Sequence, residues 1–90
     1  MVKKYHKGRR MEYKVRDILK TEGYFVVRQA KSTFPDLVAL KGNEIVFIEC
    51  KVNKYLSRKE KEKIKEIKEK VKCKFLVAYN DKGKVKFYEV

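Results

Sequence analysis

Three charged residues interrupt an apolar stretch between residues 34 and 51, and their types suit metal-assisted chemistry on a phosphate. Asp36 follows Pro35, while Glu49 and Lys51 lie near the end of the apolar run 44–52. Alternate residues of a strand project to the same face, so Glu49 and Lys51 share a face. Pairing with the preceding strand can bring Asp36 beside them. Two carboxylates and an ammonium at one sheet edge would hold a divalent cation next to a phosphate, because Mg²⁺ takes one or two carboxylates, waters and phosphate oxygens.

The same residues also have a purely structural interpretation. A Glu-x-Lys spacing starts at Glu12, Glu49 and Glu66, which is unsurprising in a chain that is 41% charged. In the structural interpretation Asp36 begins a strand after a proline, and Glu49 and Lys51 form an exposed ladder pair. The copy at Glu49 differs from the other two because it lies in an apolar strand that a Pro-Asp strand precedes. That context favours the metal-site interpretation of Asp36, Glu49 and Lys51 over the structural one.

The residues around the charged group predict a hairpin whose second strand is central. Residues 36–40 and 44–52 are apolar segments joined by a turn at Gly42-Asn43. The second segment is apolar on both faces through most of its length, which is typical of a strand covered on both sides. Partial burial would make metal-free Asp36 and Glu49 repel each other and share a proton, and a cation would remove that cost.

The segments on either side of the hairpin predict a helix and a strand before it. Met11, Val15, Ile18 and Leu19 recur with helical spacing, so we expect a helix from about Arg9 to Thr21. Gly23 takes the place of a left-handed C-terminal cap. Residues 24–28 are aromatic and β-branched and predict a strand, and residues 29–34 a polar loop.

A second helix and two strands are predicted after the hairpin. Ser57 and Glu60 have the spacing of a capping box, and the helix should run to about Val71. Strands are expected at 73–79 and 84–90, with a turn at 80–83. The order αβββαββ predicts an α/β sandwich with a mixed central β-sheet and helices packed on it.

Length and charge indicate one domain with a polyanionic partner. Ninety residues fit a single domain over 1–90, with residues 1–8 a basic arm that we expect to be flexible. A net charge of +13 favours polyanions, with nucleic acid ahead of an anionic membrane surface. The many Lys and Glu residues also indicate adaptation to heat. With no signal-like apolar region at the start and no membrane-length apolar run, we expect an intracellular protein.

The cysteines and the histidine argue against a zinc site. Cys50 and Cys73 are not part of a Cys-x-x-Cys pair, and His6 is the one histidine in the sequence. Both cysteines are expected to act as small buried apolar side chains, with a disulfide between them as the other possibility.

The motif Pro35-Asp36 followed by Glu49-Cys50-Lys51 resembles the PD-(D/E)XK nuclease superfamily, whose fold is the restriction-endonuclease-like sandwich. The wider chain is similar to archaeal Holliday junction resolvases of the Hjc type over roughly residues 7 to 80. The segments that carry this similarity are 7–12, 22–28, Ser32, 35–39 and 55–57.

The resemblance implies a Mg²⁺-dependent endonuclease, with Mn²⁺ as a substitute, that cuts DNA at four-way junctions as a homodimer. It implies that Asp36 and Glu49 ligate the metal, with the Cys50 backbone carbonyl as a third oxygen and Glu12 from the first helix completing the acidic cluster. Lys51 would orient water and counter charge on the phosphate. Ser32 is the matching active-site serine, although Lys31 stands where the family usually has glycine.

Basic residues near this group are candidate phosphate contacts. They lie in the arm, the first helix, the end of the first strand and the loop before Asp36: Lys7, Arg9, Arg10, Arg28 and Lys31. Ordinary surface charge is the alternative for each. For the whole chain the alternative functions are a non-catalytic basic nucleic-acid-binding protein, or a nuclease of the same fold acting on linear duplex or flaps.

Overall fold

The computed structural model describes residues 10–29 and 34–90 in full, and residues 2–9 as backbone. Its elements follow the predicted order of one helix, three strands, one helix and two strands. They are α1 (Val2–Thr21), β1 (Phe25–Arg28), β2 (Leu37–Lys41), β3 (Glu44–Lys51), α2 (Arg58–Lys70), β4 (Lys74–Asp81) and β5 (Lys84–Glu89).

The five strands form one mixed sheet in the order β1-β2-β3-β4-β5, which places β3 at the centre. Neighbouring strands pair antiparallel except β3 and β4, which are parallel. A parallel pair requires a crossover, and α2 supplies it. The prediction of a central β3 in a mixed sheet is therefore confirmed.

Helix α1 covers one face of the sheet. Its side chains Val15 and Leu19 pack into a buried cluster with apolar residues of β2, β3 and β4: Leu37, Ala39, Val46, Ile48 and Ala78. The predicted apolar stripe of the first helix thus faces the core. This packing places the start of the stripe, and Glu12 beside it, above the end of β3.

Helix α2 packs on β4, and buried apolar residues lie between them. Ile64 is 2% exposed, and Phe75 and Val77 of β4 are fully buried. The Phe34 ring stacks on Phe75 at 5.7 Å between centroids, which anchors the chain just before Asp36. Both faces of the sheet are therefore covered near the centre, as the two apolar faces of the third predicted strand require.

Turn residues adopt the conformations that their types allow. Gly23 closes α1 with φ +97°, Gly42 has φ +58° at the β2–β3 turn, and Lys82-Gly83 form a two-residue turn with positive φ at both positions. Because two residues suffice for that turn, β4 runs on to Asp81, past the expected end at residue 79.

Helix α1 begins at Val2, earlier than the expected start near Arg9, so the segment expected as a flexible arm has helical backbone. The sequence criterion was the apolar stripe, which begins at Met11. The preceding residues include Lys and Arg, which favour helix without contributing to such a stripe. Among the described residues, no helix combines the length and apolar character needed to cross a bilayer.

Replacing Ile64 with alanine should lower the free energy of unfolding by about 2–4 kcal/mol, because the side chain is buried between α2 and β4 and its loss leaves a cavity. Chemical denaturation followed by circular dichroism measures the change. The exposed neighbour Lys65→Ala is the control and should change stability by about 0.5 kcal/mol or less. A loss below about 1 kcal/mol for Ile64→Ala would contradict this packing.

Candidate active site

Asp36 and Glu49 meet where β2 begins and β3 continues beyond it. The last register pair of the two strands at this end is Leu37 with Ile48, so the next positions are Asp36 and Glu49. The Cys50 N–H donates to Asp36 Oδ2 at 3.0 Å, and the Asp36 N–H donates to Glu49 Oε1 at 3.2 Å. Each carboxylate thus accepts a backbone hydrogen bond from the neighbouring strand segment, which fixes both acids side by side.

Burial raises the pKa values of both acids. Desolvation is the largest cause for each, and the Asp36 charge adds to it at Glu49, whose pKa rises to about 8. At Asp36 the charge of Glu12 raises the pKa further, while the Cys50 N–H hydrogen bond and Lys51 oppose the rise. The two acids therefore hold a proton near neutral pH in the absence of a cation, as expected for like charges in a partly buried site.

Cys50 and Cys73 are both free thiols, so no disulfide joins them. Burial raises the pKa of the Cys50 thiol, and the charges of Asp36, Glu12 and Glu49 raise it further. Its side chain packs against the core on the α1 face. The thiol of Cys50 is therefore a small apolar group at the edge of the core, while both cysteines are half-buried rather than fully buried as expected.

Glu12 reaches the site from α1 and is held by an ion pair. Arg28 Nε donates to Glu12 Oε1 at 2.8 Å, and the Arg28 guanidinium lies 5.2 Å from the centre of the Tyr13 ring. The charge of Glu12 acts on both Asp36 and Cys50. The first-helix acid is therefore close to the carboxylate pair, and β1 supplies its counter-charge.

Lys51 is held by an acid that the sequence did not assign to the site. Its Nζ donates to both carboxylate oxygens of Glu60, at 2.9 and 2.8 Å. Glu60 also completes the predicted capping box, in which Ser57 and Glu60 exchange backbone and side-chain hydrogen bonds. Desolvation raises the pKa of Glu60, but the hydrogen bonds from Lys51 and the Ser57 backbone outweigh it and lower that pKa.

Two open grooves meet at the end of β3. The first, of about 320 Å³, lies between α1 and the β4–β5 turn, and its charged or polar lining is Arg10, Glu12, Lys14, Lys51 and Asn80. The second runs between the end of β3 and the start of α2, and its lining includes Glu49, Lys51, Tyr55, Ser57 and Glu60. Lys51 borders both grooves, and Glu49 lines the second.

The donor set suits Mg²⁺ with two protein carboxylates. Within the described residues no group of three or more His, Cys, Asp or Glu side chains is arranged to hold a metal. Asp36 and Glu49 are nonetheless adjacent hard oxygen donors whose burial disfavours two bare charges. Mg²⁺ commonly takes one or two carboxylates and keeps several waters, so the pair fits this ion.

The structure brings together four of the five residues predicted as catalytic. Glu12, Asp36, Glu49 and Lys51 lie at the end of β3, and Arg10 is exposed in the first groove. Ser32 and Lys31 lie outside the described residues, as do the side chains of Lys7 and Arg9. Sequence reasoning missed the partner roles of Glu60 and Tyr13; the capping spacing marked Glu60, but nothing in the sequence linked it to Lys51.

An α/β sandwich with an acidic pair and a lysine at the end of its central strand is the arrangement of a nuclease-like class of proteins. The family model described as archaeal Holliday junction resolvase (Hjc) matches residues 3–90. The chain therefore belongs to the Hjc family of archaeal Holliday junction resolvases.

Individual relatives agree with this membership. The crossover junction endodeoxyribonuclease Hjc of Methanocaldococcus jannaschii is 34% identical over 65 residues, which is 68% of this chain and 49% of the relative. The chain thus spans about half the length of that curated relative. The 1.6 Å structure of the Holliday junction resolvase Hjc from Archaeoglobus fulgidus matches with a TM-score of 0.76 and 27% identity, covering 92% of this chain and 72% of the other.

Metal-free protein should lose thermal stability as the pH rises from about 5 to about 8. Folding raises the pKa of Glu49 from 4.5 to about 8, so the folded state binds more protons than the unfolded state across this window. The stabilisation is complete below the unfolded pKa and is lost as the pH passes the folded one. Thermal unfolding in EDTA across this range measures the slope.

The variant Glu49→Gln should remove most of this pH slope, because the amide does not titrate. Glu62→Gln makes the same change at an exposed position of α2 and should keep the wild-type slope. Equal slopes for wild type and Glu49→Gln would show that the Glu49 carboxyl is not destabilised by burial.

Proposed function

We propose that this protein is a Mg²⁺-dependent endonuclease that hydrolyses DNA phosphodiesters, with four-way junctions as its preferred substrate. The observation that carries the proposal is the Asp36–Glu49 pair at an open end of the sheet, where Asp36 accepts from the Cys50 N–H and Glu49 accepts from the Asp36 N–H, with Lys51 beside them. The preference for junctions is supported by family membership and by the names of the two relatives.

Asp36 and Glu49 would hold the metal, with Mn²⁺ able to replace Mg²⁺ because both prefer oxygen donors. The Cys50 carbonyl is a candidate third oxygen, and Glu12 a candidate for contact through water. A bound divalent cation would activate water and neutralise charge on the phosphate. The protein's own part is to hold two carboxylates in a partly dry site, where their repulsion favours a cation over a bare pair.

Lys51 would donate to the phosphate or to the attacking water. Its ammonium lies within electrostatic range of Asp36 and Glu49, whose pKa values it lowers. A fixed positive charge beside the scissile phosphate stabilises the charge that develops in the transition state. Ser32 remains a proposed phosphate or water ligand on the strength of the family pattern.

Basic residues along the first groove would bind the DNA backbone. Arg10 and Lys14 line it next to Glu12, and the net charge of +13 supplies a long-range attraction. Lys7, Arg9, Arg28 and Lys31 are further proposed contacts. Since Arg28 is paired with Glu12, its contribution to DNA binding would come together with positioning that acid.

We further propose a homodimer that works on DNA inside the cell, associated with the nucleoid. A two-fold dimer presents two identical sites, which suits paired cuts in a substrate that is itself two-fold symmetric. Sedimentation velocity with and without a junction would measure this assembly.

A non-catalytic nucleic-acid-binding protein is the second candidate. The observation that favours it is that Glu12 and Lys51 are both engaged in ion pairs, with Arg28 and Glu60. Such a protein would bind junctions with strong salt dependence and without cleavage. A substrate panel with linear duplexes and flaps would identify a nuclease of the same fold with another preference.

Replacing Asp36 with asparagine should reduce cleavage of a labelled four-way junction by about 10³-fold or more in Mg²⁺ and leave binding intact. The substitution keeps the shape and removes one of two charges that hold the cation. Gel assays under single-turnover conditions measure cleavage, and gel shifts in EDTA measure binding. Wild-type protein in EDTA should be as inactive as the variant.

Asp17→Asn is the matched control, since Asp17 is an exposed acid of α1, and it should cleave at the wild-type rate. Junction binding without cleavage by wild type in Mg²⁺ and in Mn²⁺ would reject the endonuclease and leave the binding protein. Cleavage by Asp36→Asn at the wild-type rate would show that the active site lies elsewhere.

A further inference from the structure

We propose that Glu60 is a positioning residue that fixes the Lys51 ammonium at the carboxylate pair, and that it does so separately from its part in capping α2. The inference rests on the proposed function, because it assigns a partner to the lysine of that site. It adds a residue from α2 to a site otherwise made by α1, β3 and the segment before β2.

The capping box uses only one of the two carboxylate oxygens of Glu60. The Ser57 N–H donates to Oε1 at 2.9 Å, which completes the capping box. Lys51 Nζ donates to Oε1 at 2.9 Å and to Oε2 at 2.8 Å, so among the described residues Oε2 bonds the lysine alone. A glutamine at this helix position can also complete a capping box. The second oxygen and the full charge therefore matter to Lys51 rather than to the helix end.

Burial makes this ion pair more than a surface contact. The Lys51 and Glu60 side chains are 22% and 21% exposed, whereas the surface pair Lys70 with Glu66 is 72% and 68% exposed. Exposed pairs hold a flexible lysine weakly, because water and salt screen the attraction. The partly buried pair, in which the ammonium contacts both carboxylate oxygens, holds the end of the Lys51 side chain at Glu60.

Hydrogen bonds and packing hold the backbone around Glu60, and so fix the place at which Glu60 binds Lys51. Asn53 Oδ1 accepts the Tyr55 N–H at 3.0 Å in the short connection from β3 to α2. The Tyr88 hydroxyl donates to the Lys54 carbonyl, which ties the same connection to β5. Ile64, one turn along α2 from Glu60, is buried against the sheet. Glu60 therefore lies in the first turn of a helix whose start is held by these contacts. Its charge is close enough to the site to raise the pKa of Glu49.

The test is the variant Glu60→Gln, which keeps the capping geometry and removes the charge. Single-turnover cleavage of a four-way junction in saturating Mg²⁺ should slow by between about 10- and 100-fold, the scale of an active-site group that is misplaced by about 1 Å. The dissociation constant for the junction in EDTA should change by less than about two-fold. Glu62→Gln removes the same charge from an exposed position of α2 and should cleave like wild type.

A helix-capping role predicts a different pattern, which Ser57→Ala tests. Losing the serine hydroxyl removes the hydrogen bond to the Glu60 N–H, so the melting temperature should fall more than in Glu60→Gln. Cleavage should nevertheless slow less than in Glu60→Gln, because the Lys51 contact remains. If the order of the two cleavage rates instead follows the order of the two melting temperatures, Glu60 acts only through the helix.

A double-mutant cycle with Lys51→Ala checks that the effect passes through the lysine. Glu60→Gln should add less than about two-fold to the loss already caused by Lys51→Ala, since residues that act through one contact are non-additive. A Glu60→Gln protein that cleaves within two-fold of Glu62→Gln overturns the inference and leaves the nuclease intact. If wild type and Glu62→Gln both fail to cleave, it is the proposed function that has failed.

Discussion

The structure depends on two carboxylates that share the boundary between the sheet and solvent. β2 begins at Leu37, while β3 runs on to Lys51. Just beyond the paired residues, the Cys50 N–H donates to the Asp36 carboxylate and the Asp36 N–H donates to the Glu49 carboxylate. Those hydrogen bonds hold two like charges side by side in a site that burial makes unfavourable for them. A partly dry pair of this kind must take up either a proton or a cation. In the proposed function this pair, at one end of the central strand, is the site of the cation.

The basic groups near the pair compensate its negative charge only in part. Arg28 neutralises Glu12, and Glu60 engages Lys51, so the nearest basic groups already have acidic partners. The result is a local negative site within a chain of net charge +13. In the proposed function, the basic surface would attract the DNA backbone and the small acidic site would hold the metal ion.

The sequence predicted the fold well because its local signals agree with its packing. The apolar stripe from Met11 to Leu19 and the two apolar faces of β3 specify surfaces that pack in the core. The capping box at Ser57 specifies where α2 begins. The same reasoning predicted that α1 begins near Arg9, whereas it begins at Val2. Residues that favour helix but do not form an apolar stripe give no periodic signal. Sequence reasoning also placed Asp36 beside Glu49, which follows from the pairing of β2 with β3. The Glu60–Lys51 and Arg28–Glu12 contacts could not be predicted, because ion pairs between elements depend on crossing geometry that spacing does not encode.

Calorimetric titration of the DNA-free protein with Mg²⁺ or Mn²⁺ tests the central claim most directly. At neutral pH the Asp36–Glu49 pair holds a proton that an incoming cation must displace. We therefore expect binding by wild type with release of close to one proton, seen by repeating the titration in buffers of different ionisation enthalpy, and no such binding by Asp36→Asn. Binding of equal strength and equal proton release in Asp36→Asn, or no binding by wild type at millimolar metal, would contradict the account.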